Sequence, residues 1–372
     1  MLEAGNDYDA VQAWLASKRS GPQHGPVSAT ERSYRKEAER LILWAVLVRH
    51  KPLSSLSVED AAAFRDFLGA PPASWCGPRY SPRWSTSWRP LEGALSTSAL
   101  RQSMTVIKAL YAFLMKQNYV VGSPFSGISL PRESARALGS NRTLTMTDIQ
   151  RVIDHLQVMT TEFPESQAKQ RLAKAVLWLY ATGLRVHEIS QVRCGALTHM
   201  EYCVEDATMA SGWLLEVVGK GNKIREVPVP IALLNALADE LRQHGLPASP
   251  ADPANSEVPI LARFVKNDVP QIWSTSALQE ALKKLFVAVA AKSAPADATR
   301  LLGASAHWLR HSHASHALQG RPGRAPVPIQ VVQNNLGHAS IGTTSGYLTT
   351  ERDARLRAMQ GFWGENQLKS TQ

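Results

Sequence analysis

The chain has few cysteines, no long apolar run and fewer acidic than basic residues. Its three cysteines, Cys76, Cys194 and Cys203, lie far apart with no CxxC spacing, which argues against a disulfide framework and against a zinc or iron–sulfur site. The longest apolar runs, such as residues 42–48, are less than half of the roughly 20 residues that cross a membrane. The first residues lack the basic-then-apolar order of a secretory signal. We therefore expect a cytoplasmic protein without a membrane partner.

The shortage of acidic residues points to a polyanionic partner. Lysine and arginine number 41 against 31 aspartates and glutamates, which gives a net charge of +10. Such an excess on a folded chain favours nucleic acid ahead of a membrane surface. Hydrophobic residues make up 44% and charged residues 19%, so the chain is expected to fold. Its 372 residues predict two or three domains, because a domain typically has about 150 residues.

The amino-terminal third is predicted to be helical, because its apolar residues recur every three or four positions. A capping box at Ser57 and Asp60 marks one helix start, and a long apolar stripe marks another helix over residues 97–117. The polar stretch PRESARALGSNRT then interrupts the pattern and is typical of a linker. The predicted divisions are an N-terminal extension (1–24), a helical domain (25–130), a linker (131–143), a second domain (144–350) and a C-terminal tail (351–372).

The second domain is predicted to combine helices with a small sheet. Thr145 and Asp148 form a capping box before an apolar stripe, and a second helix follows at Gln167–Thr182. Two strand-like segments, 214–218 and 224–229, flank Gly-Lys-Gly-Asn-Lys, which indicates a hairpin. Helical patterns return at 231–244, 276–292 and 305–318. The predicted fold class is therefore mainly α with a small antiparallel β-sheet.

Residues 71–90 form an unusual stretch that mixes tryptophan with arginine and contains no acidic residue. Its arginines, Arg79, Arg83 and Arg89, could contact DNA phosphates while the aromatic rings stack on bases. Alternatively, the tryptophans pack onto the helical domain. The sequence leaves both interpretations open.

Four separated segments of the second domain carry arginine, lysine or histidine, and the last of them also carries a tyrosine. They are ATGLRVHEI with Arg185 and Glu188, GKGNKIR with Lys220, Lys223 and Arg225, HWLRH with His307, Arg310 and His311, and LGHASIGTTSGY with His338 and Tyr347. Two arginines can present paired N–H donors to a DNA phosphate and stay charged at any working pH. Lysine and histidine can transfer protons, and tyrosine can attack phosphorus once a base or a cationic field activates it. The pattern predicts phosphodiester chemistry.

These segments resemble the motifs of the tyrosine recombinases of the phage integrase family, in the same order. The resemblance implies that the catalytic set is Arg185, Lys220, His307, Arg310, His338 and the nucleophile Tyr347. It gives Glu188 and His311 supporting roles and leaves Lys223 as a substitute for Lys220 or a DNA contact, with Arg225 as another DNA contact. It also implies that residues 25–130 are a core-binding, SAM-like domain that holds DNA and that residues 144–350 are the catalytic domain.

The resemblance further implies strand exchange through a covalent 3′-phosphotyrosine, with no cofactor, metal or ATP. The implied partners are double-stranded DNA, three further copies of the chain in a tetramer on two recombining sites, and accessory DNA-bending or directionality proteins. The tail 351–372 is a candidate protomer-docking segment. Residue reasoning leaves two other functions open: a non-catalytic DNA-binding accessory factor of the same fold, or DNA relaxation like that of type IB topoisomerases. His307 and His311 also have a spacing that could suggest a metal site, but without a nearby carboxylate we predict none.

Overall fold

A computed structural model of the chain describes residues 2–19, 29–79, 81–83, 85–129, 142–203, 209–219, 223–265, 268–320 and 324–337. The chain divides into two compact units, Met1–Arg136 and Ala137–Gln372. Each unit has its own buried apolar core. The predicted linker, residues 131–143, lies outside the described residues except for its last two positions.

The amino-terminal unit is built from helices. The four long ones are α1 (Asp7–Ser17), α2 (Ala29–Trp44), α3 (Val58–Gly69) and α4 (Thr97–Lys116). A π-helical turn, Ala45–Arg49, extends α2, and short 3-10 turns occur at Leu53–Ser55 and Ala73–Trp75. Ser57 and Asp60 form the predicted capping box of α3, with each side chain bonded to the other residue's backbone N–H. The fully buried stripe of α4 includes Met104, Ile107 and Leu110.

Helix α1 lies within the predicted N-terminal extension, residues 1–24, and belongs to the core of this unit. Asn6 caps the helix with its side-chain oxygen on the N–H of Asp9. Trp14 is fully buried, and its ring stacks on that of Tyr34 with 5.2 Å between the ring centroids. Ala10, Val11 and Leu15 share its buried side. A large aromatic ring removed from water stabilises the unit, so residues 7–17 are part of the domain rather than an appendage.

The carboxy-terminal unit combines eight described helices with one sheet. Its elements are α5 (Met146–Glu162), α6 (Gln167–Thr182), α7 (Val186–Gln191), β1 (Leu197–Cys203), β2 (Met209–Val218), β3 (Ile224–Val229), α8 (Ile231–Gln243), α9 (Thr275–Ala290), α10 (Pro295–Gly303), α11 (Ala306–Gln319) and α12 (Ile329–Leu336). The predicted capping box of α5 is present. The predicted fold class, mainly α with a small antiparallel sheet, is confirmed.

The sheet has the order β1-β2-β3, and both pairings are antiparallel. The predicted hairpin is formed by β2 and β3, where Leu215 lies opposite Val227 and both are buried. In β3 the positions 225, 227 and 229 share one face because side chains alternate along a strand. Val227 and Val229 fill the core on that face, so the third residue on it, Arg225, also points inward. This alternation determines the site described next.

The described part of the chain contains no helix that is both long enough and apolar enough to cross a bilayer.

Candidate functional site

The junction between α6 and α7 presents Arg185. Gly183 ends α6 in the left-handed conformation, with φ of 65°, and Arg185 is the N-cap residue of α7. Glu188 closes a capping box in which it accepts a hydrogen bond from the Arg185 backbone N–H at 2.8 Å. The Arg185 guanidinium donates to the same carboxylate at 2.8 Å, and its side chain keeps 31% exposure. The ATGLR motif therefore fixes an arginine that remains accessible.

Glu188 is fully buried at its side chain and is held by two arginines. Besides Arg185, the guanidinium of Arg225 donates to both carboxylate oxygens of Glu188, at 3.0 and 2.8 Å. Burial alone would raise the pKa of Glu188, but the bonds from Arg225 and from the Arg185 backbone outweigh it and lower the pKa from 4.5 to about 2. Two guanidiniums thus share one carboxylate, which leaves the group with a net positive charge.

Arg225, which is predicted to contact DNA, is largely covered by protein. Its side chain is only 10% exposed, and its remaining nitrogen, Nε, donates to the backbone oxygen of Asn335 in α12 at 2.8 Å. Each of the three guanidinium nitrogens therefore donates to a protein oxygen. The sequence signal was available, since Arg225 shares a strand face with Val227 and Val229.

Arg310 ties α11 to the same junction. It is 1% exposed, and its guanidinium donates to the backbone oxygen of Gly183 at 2.6 Å and to that of Leu336 at the end of α12. Cations are favourable at a helix carboxyl end, because the last carbonyl groups lack partners within the helix. Arg310 and Arg225 together therefore hold the final turn of α12 against the α6–α7 junction.

His307 lies one helical turn before Arg310 on α11 and is exposed over only part of its surface. Partial burial of the ring, followed by the positive charges of Arg310, Arg185 and Arg142, lowers the pKa of His307 below its usual value of 6.5. A neutral imidazole can accept a proton at pH 7. The ring of His311 meets that of His307 edge to face, with 4.4 Å between the centroids. Arg142, a residue of the predicted linker, is a neighbour of the site that sequence reasoning missed.

The other histidines of α11 serve packing. His316 is buried and hydrogen-bonds through Nδ1 to the hydroxyl of Tyr180 at 2.8 Å, while His313 Nδ1 lies 2.9 Å from the Tyr180 backbone oxygen. Ser312 accepts a hydrogen bond from the Leu144 backbone N–H at 2.8 Å. Across the residues that the structure describes, no three side chains from His, Cys, Asp and Glu come together as metal ligands.

Three predicted catalytic residues, Lys220, His338 and Tyr347, lie outside the described residues, as does the tail 351–372. The residue before Lys220 is described, and the Gly219 N–H donates to the Lys223 backbone oxygen at 2.8 Å. Lys223 itself is exposed and lies immediately before β3. The residue before His338, Gly337, ends α12 in the left-handed conformation with φ of 62°.

The arginines of the 71–90 stretch lie in the amino-terminal unit and all bind protein groups. Arg83 pairs with Glu39, and Arg79 lies 3.5 Å from Glu92. Arg89 donates to backbone oxygens of its own loop at 2.7 to 3.0 Å. The Trp75 ring meets Phe67 edge to face, with 5.0 Å between the centroids, so this tryptophan does pack onto the helical domain.

Residues 142–353 match the sequence pattern of the phage integrase family. The chain belongs to this family. It is 26% identical over 254 residues to tyrosine recombinase XerD of Rickettsia conorii, covering 68% of this chain and 73% of that protein. It is 30% identical over 277 residues to XerD of Bradyrhizobium diazoefficiens, covering 72% of this chain and 76% of that protein.

Solved structures of two other proteins share the fold. XerH recombinase in a pre-cleavage complex with its difH substrate superposes with a TM-score of 0.59 at 17% identity, over 98% of this chain and 86% of that one. The Tn1549 transposon integrase in complex with transposon right-end DNA superposes with a TM-score of 0.57 at 12% identity, over 96% of this chain and 99% of that one. At these identities the likeness shows the fold alone.

Proposed function

We propose that the chain is a site-specific DNA recombinase that cuts and rejoins DNA through a covalent 3′-phosphotyrosine at Tyr347. The observation that carries the proposal is the meeting of Arg185, Arg310 and His307 around one junction, although they come from two distant motifs. Membership of the phage integrase family and the identity to XerD recombinases support it independently.

Arg185 and Arg310 would bind the scissile phosphate. Arg185 is oriented by Glu188 and partly exposed, while Arg310 is buried beside the same junction. Each guanidinium can donate two parallel N–H bonds to non-bridging oxygens and cannot lose its proton at working pH. Donors held in place in this way stabilise the charge that develops at the phosphorus, and removing one such donor typically costs about 3–4 kcal/mol of barrier.

The proton transfers would involve His307 and Lys220. The Tyr347 oxygen attacks phosphorus and forms the P–O bond of the phosphotyrosine, while the bond from phosphorus to the 5′-oxygen breaks. His307, held neutral by its lowered pKa, takes the phenol proton, and Lys220 gives a proton to the departing 5′-oxygen. His338 donates a hydrogen bond to a non-bridging oxygen. Rejoining reverses these steps, so the bond energy is conserved and neither ATP nor a metal takes part.

The proposed partners follow from strand exchange. Double-stranded DNA is the substrate, and four copies of the chain act on two recombining sites, with residues 351–372 as the docking segment between copies. Accessory DNA-bending or directionality proteins set the outcome, whether integration, excision, transposition or resolution. The protein works in the cytoplasm, on nucleoid DNA.

The test is covalent capture of DNA by Tyr347. The substrates are overlapping nicked duplexes that together cover the DNA beside the gene. The nick lets the released 5′-hydroxyl strand diffuse away, so the protein–DNA adduct accumulates. We expect the wild-type protein to form an adduct that survives SDS. Tyr347→Phe should form none and should bind the same duplex with a Kd within about threefold, because it loses only a hydroxyl.

The matched control is Tyr202→Phe, which removes a hydroxyl from an exposed residue of β1 and should leave capture unchanged. Trapping of the Tyr347→Phe protein would show that another residue is the nucleophile. Absence of an adduct from the wild-type protein on every duplex it binds would favour the non-catalytic accessory factor.

A further inference from the structure

Arg225 occupies the centre of the candidate site without belonging to the predicted catalytic set. Its guanidinium bonds to both carboxylate oxygens of Glu188, at 3.0 and 2.8 Å, and to the backbone oxygen of Asn335, at 2.8 Å. Glu188 in turn orients Arg185. One side chain from β3 therefore joins the α7 motif to the end of α12.

The two glycines that precede Lys220 and His338 lie against the Arg225 side chain. A methyl group at Gly337 would stand 2.9 Å from Cδ of Arg225, and one at Gly219 would stand 3.1 Å from its Nη1. Both distances are shorter than ordinary carbon contacts, so each glycine leaves space that the arginine fills. Gly337 is followed by His338 and Gly219 by Lys220.

We propose that Arg225 is a positioning residue, which sets the places of Lys220 and His338 relative to Arg185 and makes no contact with DNA. The inference rests on the proposed function, because it assigns Arg225 a task in the cleavage step. Arg225 is linked to Arg185 through Glu188. It also lies against Gly219, the residue before Lys220, and against Gly337, the residue before His338.

A lysine cannot perform this task. The guanidinium is a rigid, planar fork whose donors point in fixed directions, so it can bind a carboxylate and a third acceptor at once. An ammonium group is a compact point charge and reaches fewer of these acceptors. Arg225→Lys therefore keeps a cation for the buried Glu188 but loses the simultaneous link to Asn335.

The test compares DNA binding with the rate of cleavage in full-length protein. The probe is the nicked duplex that the wild-type protein captures, and the rate of adduct formation is measured at saturating protein. We expect Arg225→Lys to lower this rate at least about 30-fold, while its Kd stays within about threefold and the salt dependence of binding is unchanged. The matched control, Arg242→Lys, alters an exposed arginine paired with Asp239 and should change neither quantity.

A DNA contact would give the opposite pattern. Loss of one phosphate contact would weaken binding and reduce the salt slope by about one, with the saturating rate intact. That result, or an unchanged rate in a folded Arg225→Lys protein, would overturn the proposal. If Arg225→Lys fails to fold, the double variant Arg225→Gln with Glu188→Gln removes the buried charges together. The proposal then requires that this double variant also lowers the rate of adduct formation and leaves the Kd unchanged.

A second measurement does not depend on recombinase activity. In the free protein, Arg225→Lys should speed amide hydrogen exchange at residues 223–226 and 334–337 and leave α9 unchanged. Faster exchange together with a wild-type protein that never captures DNA would disprove the proposed function and leave the structural role of Arg225 intact. Unchanged exchange at both segments would disprove the positioning role itself.

Discussion

Glu188 places a negative charge beside the arginines that we propose bind a phosphate. Its carboxylate is buried and surrounded by donors from Arg185 and Arg225, so its charge is compensated within the protein. An uncompensated buried carboxylate would become protonated or destabilise the fold. Here the carboxylate orients Arg185 and anchors Arg225, and the excess guanidinium charge remains available to an anion. The acidic residue thus supports a cationic site.

The lowered pKa of Glu188 predicts how its contribution depends on pH. A fall from 4.5 to about 2 corresponds to about 3 kcal/mol of stability, present above pH 4.5 and lost as the pH drops from 4.5 towards 2. Glu188→Gln should therefore be less stable by about 3 kcal/mol at pH 7, with a difference from wild type that shrinks below pH 4.5. Hydrogen exchange of the α11 segment in rising urea, at pH 7, 4 and 3, measures this.

The control for Glu188 is Glu257→Gln, which removes an exposed carboxylate paired with Arg193 and should cost less than about 1 kcal/mol at any of these pH values. A Glu188→Gln deficit that stays constant down to pH 3 would mean that the ion pairs are not the source of its stability.

The sequence predicted the types of the site residues better than their tasks. The resemblance of its motifs to those of the phage integrase family implied Arg185, Arg310, His307 and Glu188, and the structure places these residues near one junction. It gave Arg225 to DNA because it stands beside Lys223 in a basic hairpin. The strand's two-residue alternation places these two side chains on the same face, yet Lys223 precedes the strand and is exposed, whereas Arg225 is covered by α7 and α12. Such a cover comes from distant elements, so local composition cannot reveal it.

At the scale of elements, the ends of α6 and α12 determine the site. Both helices stop at a glycine in the left-handed conformation, Gly183 and Gly337. The Gly183 carbonyl and the last carbonyl groups of α12 are the acceptors for Arg310 and Arg225. Helix ends supply unpaired carbonyl groups, and arginine supplies the donors that satisfy them. The segments that carry Gly183, Arg310 and Leu336 are thereby joined through backbone atoms.

Gly183 is predicted to tolerate no side chain, for two separable reasons. Its φ of 65° costs an alanine about 1 kcal/mol, and its methyl group would stand 2.6 Å from Cδ2 of His313 and 2.9 Å from Cδ2 of Leu336. Adding about 1–3 kcal/mol for overpacking, Gly183→Ala should destabilise the carboxy-terminal unit by about 2–4 kcal/mol. Gly245→Ala has the same backbone strain, φ of 72°, but nothing within 4 Å, and should cost only about 1 kcal/mol. Equal losses in urea unfolding would show that His313 and Leu336 move aside freely.

Sequence patterns predicted the long elements other than α1 and missed the short ones. The capping boxes at Ser57 and Thr145 are confirmed, because a cap is encoded by two residues three positions apart. The helices α7, α10 and α12 have six to nine residues, which is too short for a 3.6-residue period to stand out. Strand β1 has one buried residue, Leu197, followed by six exposed ones, so it shows no alternation and is recognisable only by its pairing with β2.

At the scale of the whole molecule, the net charge of +10 predicts that phosphate contacts dominate DNA affinity. A protein that neutralises six to ten phosphates loses about 10³–10⁵-fold in affinity between 50 and 200 mM salt, because bound counterions are released. We expect Tyr347→Phe, used so that binding is measured without cleavage, to lose affinity in this range.

Lys223→Gln should weaken binding at every sequence and reduce the slope of log Kd against log salt by about one, since Lys223 is exposed on the hairpin. Mobility shifts at four salt concentrations measure both slopes. A flat dependence would mean that the excess charge serves solubility rather than DNA, and an unchanged slope for Lys223→Gln would remove this lysine from the DNA surface.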